Sequence, residues 1–220
     1  MLALHRRLRK TQGQWSPGER LDPLDELIAV LLSQHTSDVN SARAFRNLKS
    51  RFPSWEEVAD APVDEIADAI RSGGIANLKA RRIKQVLAEI ERSEGRLDLE
   101  RLRHLSDEDA RAFLLALPGV GPKSAACVLQ FSLGRPAFPV DTHVHRVAKR
   151  LGLVDERASA EAAAEMLEPR IAPEIRHEFH VQLIRHGREI CKPQIPRCSE
   201  CPLFDLCAAG PRLLSEGAAR

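Results

Sequence analysis

Four cysteines crowd into seventeen residues: Cys191, Cys198, Cys201 and Cys207, spaced C-x6-C-x2-C-x5-C. Clustered thiols in a reducing compartment are metal ligands rather than disulfides. Four thiolates can hold zinc or an iron–sulfur cluster. Structural zinc modules usually bring two short Cys-x-x-Cys pairs, or one pair with histidines. Here one short pair is joined by two outlying cysteines, and that uneven loop fits a larger cuboidal cluster better, with zinc as the alternative. Pro193, Pro196 and Pro202 stiffen the loop, and Lys192 and Arg197 lie inside it where they can meet phosphates. The fifth cysteine, Cys127, falls in an apolar helical stretch and is expected to be a core thiol.

A second pair of reactive types is Lys123 and Asp141, eighteen residues apart. A lysine becomes a nucleophile when desolvation or nearby positive charge lowers its proton affinity from roughly 10 toward 7–8. A helix N-terminus acts in the same direction. A neighbouring carboxylate can stabilise a developing oxocarbenium or steer a water. One helix and a loop with Gly134, Pro136 and Pro139 separate the two residues. The chain can therefore return and bring both to one mouth. The plainer alternative is that Lys123 contacts phosphate and Asp141 only caps its helix.

Lys123 follows Leu117-Pro118-Gly119-Val120-Gly121-Pro122, a short connection between two helical stretches. Gly119 suits a tight turn with positive φ, and Gly121 opens the next helix with Pro122 at its first position. Free amides at such a turn can hold a nucleic-acid strand by its phosphates without reading bases. Gly119, Val120 and Gly121 are the residues expected to do so, although an ordinary helical hairpin would show the same glycines.

The elements that must position these groups read as helices. Asp22-Pro23 is a cap and first-turn signal before Leu24, Leu27, Ile28, Leu31 and Leu32. Ser54 with Glu57 forms a capping box, and Gly73-Gly74 stops the following helix. Asn77 is expected to cap a helix carrying Leu78, Ile83, Val86, Leu87 and Ile90, with Gly95 past its end. Ser106, Gly121-Pro122, Asp141, Ser159 and Pro173 open further helices, and the last ten residues, from Pro211, are expected to fray. No stretch alternates with period two for long, so the expectation is an all-α chain of about ten short helices.

The chain has 220 residues, 43% hydrophobic and 29% charged, with a formal net charge of +2. That suits one large domain or two small ones sharing a cleft. No run of eighteen apolar residues occurs, so no membrane span is expected. The basic start, Met1 to Lys10, lacks an apolar region after it, so a cytoplasmic protein is expected rather than a secreted one. Arg43, Arg46, Lys49 and Arg51, then Lys79, Arg81, Arg82 and Lys84, form two basic stretches that read as solvated helix faces.

Taken together, Leu117 to Gly121, Lys123, Val140-Asp141-Thr142-His143, the four-cysteine loop and Leu27-Ile28-Ala29-Val30-Leu31-Leu32-Ser33 resemble the endonuclease III family of helix–hairpin–helix DNA glycosylases. The resemblance spans residues 20 to 208. It implies an all-α fold of two helical domains with a DNA-binding cleft between them. A helical barrel domain with the hairpin would cover 24–136, and an iron–sulfur cluster domain would combine 1–23 with 137–220. It implies a 4Fe–4S cluster on the four cysteines and action on double-stranded DNA with damaged bases or abasic sites. A monomer is expected, nucleoid-associated if bacterial. By that resemblance Lys123 attacks C1′ of the damaged nucleotide, Asp141 assists base departure, and β-elimination cuts the strand. Adenine-specific relatives carry a glutamate where this chain has Val30 and lack the lysine, and thymine-mismatch relatives usually replace the lysine. Oxidised pyrimidines such as thymine glycol are therefore the expected substrates. A monofunctional or mismatch-directed glycosylase and a non-catalytic DNA-binding iron–sulfur protein are the alternatives. His35 stands where the family often has the glutamine that fills the gap opposite the flipped base, and Gln34 beside it is one residue, about 100° of helix, away. Ile75 matches a position that wedges into the duplex, and His143 is carried over as a neighbour of the active site.

Overall fold

The computed structural model describes residues 1–218, and side chains as far as residue 215. Among the described residues there is no strand, and the chain divides into two compact units. One is Glu19–Arg135. The other joins Met1–Gly18 to Pro136–Arg220. No helix among the described residues is long and apolar enough to cross a membrane.

The Glu19–Arg135 unit holds α2 (Pro23–Ser33), α3 (Asp38–Arg51), α4 (Trp55–Asp60), α5 (Val63–Ala69), α6 (Ala76–Glu94), α7 (Asp107–Ala116) and α8 (Pro122–Cys127). Helix α8 runs on through a π-helical turn, Val128–Ser132. Each start has a local cause. Asp22 accepts from Leu24 N at 2.9 Å with Pro23 in the first turn. Ser54 accepts from Glu57 N at 3.2 Å and donates to that glutamate's carboxylate at 3.3 Å. Ser106 accepts from Asp109 N at 3.0 Å. Caps of this kind satisfy amide donors that the first turn leaves free. The apolar stripe Leu24, Leu27, Ile28, Leu31 and Leu32 is buried, and α2 packs on α3, α6 and α8. Helix α2 is therefore the beam on which α8 rests, and α7 packs on α8.

The other unit holds α1 (Leu2–Gln12), α9 (Thr142–Arg150), α10 (Ala160–Leu167), α11 (Arg176–Glu189) and α12 (Gly210–Ala218). Its core includes Leu8, Phe138, Val144, Val147, Phe179 and Leu183. A polar knot fastens the chain start to α11. Glu178 takes His5 Nε2 at 2.9 Å and Trp15 N at 3.1 Å, and the Trp15 ring lies 4.4 Å from that of His177.

Two expectations are corrected. Asn77 does not cap α6, because Ile75 is the cap residue and Asn77 already lies in the first turn. The chain continues past Pro211 as α12 to Ala218, and Leu213 lines a cavity with the four clustered cysteines, while residues 219–220 lie outside the described residues.

Candidate DNA-repair site

In the Glu19–Arg135 unit the connection from α7 to α8 is a tight turn with Gly119 at φ 75° and Val120 N bonded to Leu117 O at 3.2 Å. Gly121 caps α8, and Lys123 follows one residue into that helix. A Cβ at Gly119 would sit 2.4 Å from Arg82 Nε, so the φ favours glycine there and any other residue would also displace the Arg82 side chain. Arg82 in turn donates to Gln34 Oε1 at 3.1 Å, and Gln34 Nε2 reaches Gly119 O at 3.4 Å.

Gln34 is not helical. Helix α2 ends at Ser33, so the angular comparison of Gln34 with His35 along a helix does not apply. His35 is left-handed at φ 54°, Ile75 is left-handed at φ 41°, and they are the two non-glycine residues with positive φ among those described. Both are exposed. Left-handed backbone is unfavourable for a side chain branched at Cβ, and such strain persists only where the surroundings enforce it.

The basic stretches are only partly solvated faces. Lys79 is 4% exposed and donates to Leu32 O at 2.6 Å and Gly73 O at 2.7 Å. Burial lowers its proton affinity. Lys49 pairs with Asp25 at 3.2 Å and lies over the Trp55 ring, Arg51 pairs with Glu65, and Lys84 donates to Ala61 O.

One titratable group escaped the sequence reading. Glu26 sits one helical turn before Val30 on α2, and its proton affinity is pushed up to about 7 by burial, with the positive charge of Lys123 acting in the opposite direction. The first turn of a helix favours acids, so by residue type nothing in the sequence sets Glu26 apart from Asp25 beside it. Its signal was its place four residues before the buried Val30.

In the other unit Asp141 caps α9, its Oδ1 accepting from Val144 N at 2.7 Å. That leaves Oδ2 available for chemistry, so cap and catalyst are compatible. His143 Nδ1 meets Arg146 at 3.2 Å, and its proton affinity is lowered first by burial, with the Arg146 and Arg188 charges adding to this and Asp141 opposing it. His143, Lys192 and Arg197 line one open groove with Gly187 and Arg188. Three cations and an imidazole there make a surface suited to phosphate. Lys123 and Asp141 belong to different compact units.

The four clustered cysteines line a single cavity with Val147, Leu151 and Phe204. Among the described residues no three His, Cys, Asp or Glu donors gather as a single ion requires. Burial pushes the Cys198 and Cys207 thiols up and that of Cys201 up to about 11. A metal cation reverses this by stabilising thiolate. Arg150 donates to Cys191 Sγ at 3.3 Å and to Lys192 O at 2.6 Å. Four sulfurs thus ring one cavity with a cationic hydrogen-bond donor at Cys191, a donor set of the kind that holds a thiolate-bound metal group.

The model of the HhH-GPD superfamily base excision DNA repair proteins matches residues 28–173. An Arabidopsis thaliana protein named as a candidate DNA glycosylase is 41% identical over 189 residues, 82% of this chain but 64% of that protein, so the chain spans just under two thirds of its length. Endonuclease III of Thermotoga maritima is 36% identical over 187 residues, covering 84% of this chain and 83% of that enzyme. A trapped covalent intermediate of endonuclease III with DNA superposes with a TM-score of 0.84 at 30% identity, over 97% of this chain and 96% of that one. The chain belongs to the HhH-GPD superfamily of base excision DNA repair proteins, and within it is an endonuclease III-like DNA glycosylase.

Proposed function

We propose that this protein is a bifunctional glycosylase and abasic-site lyase that removes oxidised pyrimidines such as thymine glycol from duplex DNA. The observation that carries the reading is the helix–hairpin–helix turn with Lys123 in the first turn of α8, in a chain similar to endonuclease III over nearly its whole length. In this reading the Lys123 amine bonds to C1′ as the C1′–N bond to the base breaks. Asp141 helps the base depart and moves the protons that follow. The sugar opens to an imine on Lys123, and loss of a C2′ proton expels the 3′ phosphate. The damaged nucleotide must first leave the stack, which favours lesions that already stack poorly. Lys123 weighs against a monofunctional or mismatch-directed enzyme, and borohydride trapping separates the lyase from a non-catalytic binder. Gly119, Val120 and Gly121 would hold the strand, with His143, Lys192 and Arg197 on phosphates. A 4Fe–4S cluster on Cys191, Cys198, Cys201 and Cys207 would stiffen the loop that carries Lys192 and Arg197.

The test is single-turnover processing of a duplex with one thymine glycol. Base release with strand cleavage that leaves an unsaturated sugar at the 3′ end supports the proposal. Base release without cleavage would replace it with the monofunctional reading.

A further inference from the structure

The starting point is what holds two left-handed, exposed side chains in place. His35 lies three residues after Leu32, and Ile75 lies two after Gly73. Leu32 O and Gly73 O are the two acceptors of the buried Lys79 ammonium, at 2.6 and 2.7 Å. One side chain of α6 therefore clamps the carbonyls just upstream of both strained residues. No ion pair is found for Lys79 among the described residues, so its charge is spent on backbone carbonyls. One turn further along α6, Arg82 bonds Gln34, the residue immediately before His35, and Gln34 bonds Gly119 O at the hairpin turn. The Arg82 side chain also fills the space that a Cβ on Gly119 would need. Lys79 and Arg82 are three apart on one helix and so face the same side. Three loops distant in sequence meet on this one stripe of α6.

We propose that Lys79, Arg82 and Gln34 are positioning residues that lock the His35 loop, the Ile75 loop and the hairpin turn into one rigid edge, and that this edge sets the enzyme's preference for the base opposite the lesion. The inference rests on the proposed glycosylase reading and on the family positions that His35 and Ile75 match, by which both would enter the duplex. A site held on a helix by hydrogen bonds keeps its geometry within a fraction of an ångström, and a looser support misplaces the side chains that the edge presents to the duplex. Gln34 and Arg82 touch neither Lys123 nor Asp141 in any hydrogen bond or ion pair described, so loosening the tether should leave the chemical step alone.

The experiment uses the full chain as wild type, Gln34→Ala, Arg82→Gln, the double variant, and Lys79→Met. Each is given thymine-glycol duplexes with each of the four bases opposite. A parallel set with 2-aminopurine opposite an uncleavable abasic analogue reports by fluorescence whether the opposite base is unstacked. The tether predicts that KM rises about fivefold or more, that the spread of rates among opposite bases shrinks by a similar factor, and that kcat on the best duplex stays within about twofold. It also predicts that the double variant is no worse than the poorer single one, because the two side chains form one connection. Lys79→Met should do the same if it folds, and Gln34→Ala and Arg82→Gln keep the test decisive if it does not. Unchanged selectivity, or kcat falling in step with KM, or fully additive single effects would overturn the proposal. If wild type releases no base from any duplex, the glycosylase reading has failed, and the 2-aminopurine signal still decides. A signal that wild type gives and the variants lose supports the edge, and equal signals refute it.

Discussion

The left-handed turn at Ile75 makes a quantitative prediction, because a matched control lies three residues away. Ile75 and Leu78 are each 53% exposed, yet Ile75 is a cap residue at φ 41° and Leu78 lies inside α6. Complete burial of such a side chain is worth about 1.5–3 kcal/mol, so replacing either by asparagine forfeits about 1 kcal/mol of half-burial. At Leu78 the poorer helix propensity of asparagine adds about 0.5 kcal/mol, giving a loss of about 1.5 kcal/mol. At Ile75 the change removes a β-branched residue from a conformation that costs about 1–3 kcal/mol, and asparagine tolerates that conformation. The gain of about 1–2 kcal/mol cancels or exceeds the lost burial. Ile75→Asn should therefore leave stability unchanged or raise it by up to about 1 kcal/mol, a gap of about 2 kcal/mol from Leu78→Asn. For a chain of this size that is a difference in Tm of about 4–8 °C. Calorimetry or thermal melts of both variants measure it. Equal losses at the two sites would show that Ile75 is not strained, and the argument that its surroundings hold it in place for a purpose would fall with it.

Asp141→Asn should slow base release and leave Tm nearly unchanged, because asparagine caps a helix as well as aspartate does. Asp141→Ala should lose about 1 kcal/mol as well, and a wild-type rate in Asp141→Asn would remove the residue from the mechanism. Glu26 has its proton affinity raised from an ordinary 4.5 to about 7. Between those values the folded chain keeps a proton the unfolded chain has lost, so Glu26 increasingly costs stability as pH rises through that window. Glu26→Gln should match wild type in Tm at pH 4.5 and exceed it at pH 8, and parallel curves for the two proteins would contradict the assignment. Purified protein should carry about four iron atoms with inorganic sulfide per chain and show broad visible absorbance. One zinc and no colour would replace the cluster with the alternative that the cysteine spacing left open.

How much of this was legible in the sequence follows from how local each cause is. Caps at Asp22, Ser54, Ser106, Asp141 and Ser159 depend on residues within one turn, and each side chain accepts the expected first-turn amide. The Gly119 turn is similarly local, because its positive φ favours glycine. Cys127, in an apolar run, is buried as that run implies. The misses are the long-range ones. Asn77 is an ordinary cap type, but the chain begins α6 from a left-handed Ile75 that no propensity would select. Lys79 reads as surface by its charge, yet two carbonyls 47 and 6 residues away in sequence draw it inside. Gln34 looked like one more helical residue because nothing near it announces that α2 stops at Ser33. Glu26 hides among first-turn acids, and only the burial around α2 distinguishes it.

The central claim is that the Lys123 amine forms a covalent bond to the sugar of the damaged nucleotide. The direct measurement is borohydride trapping on a thymine-glycol duplex and on an abasic-site duplex, with wild type and Lys123→Gln side by side. The account predicts a trapped complex with wild type on both duplexes and none with Lys123→Gln, whose DNA binding stays largely intact. Trapping by Lys123→Gln equal to wild type, or no trapping by wild type on either duplex, would contradict it.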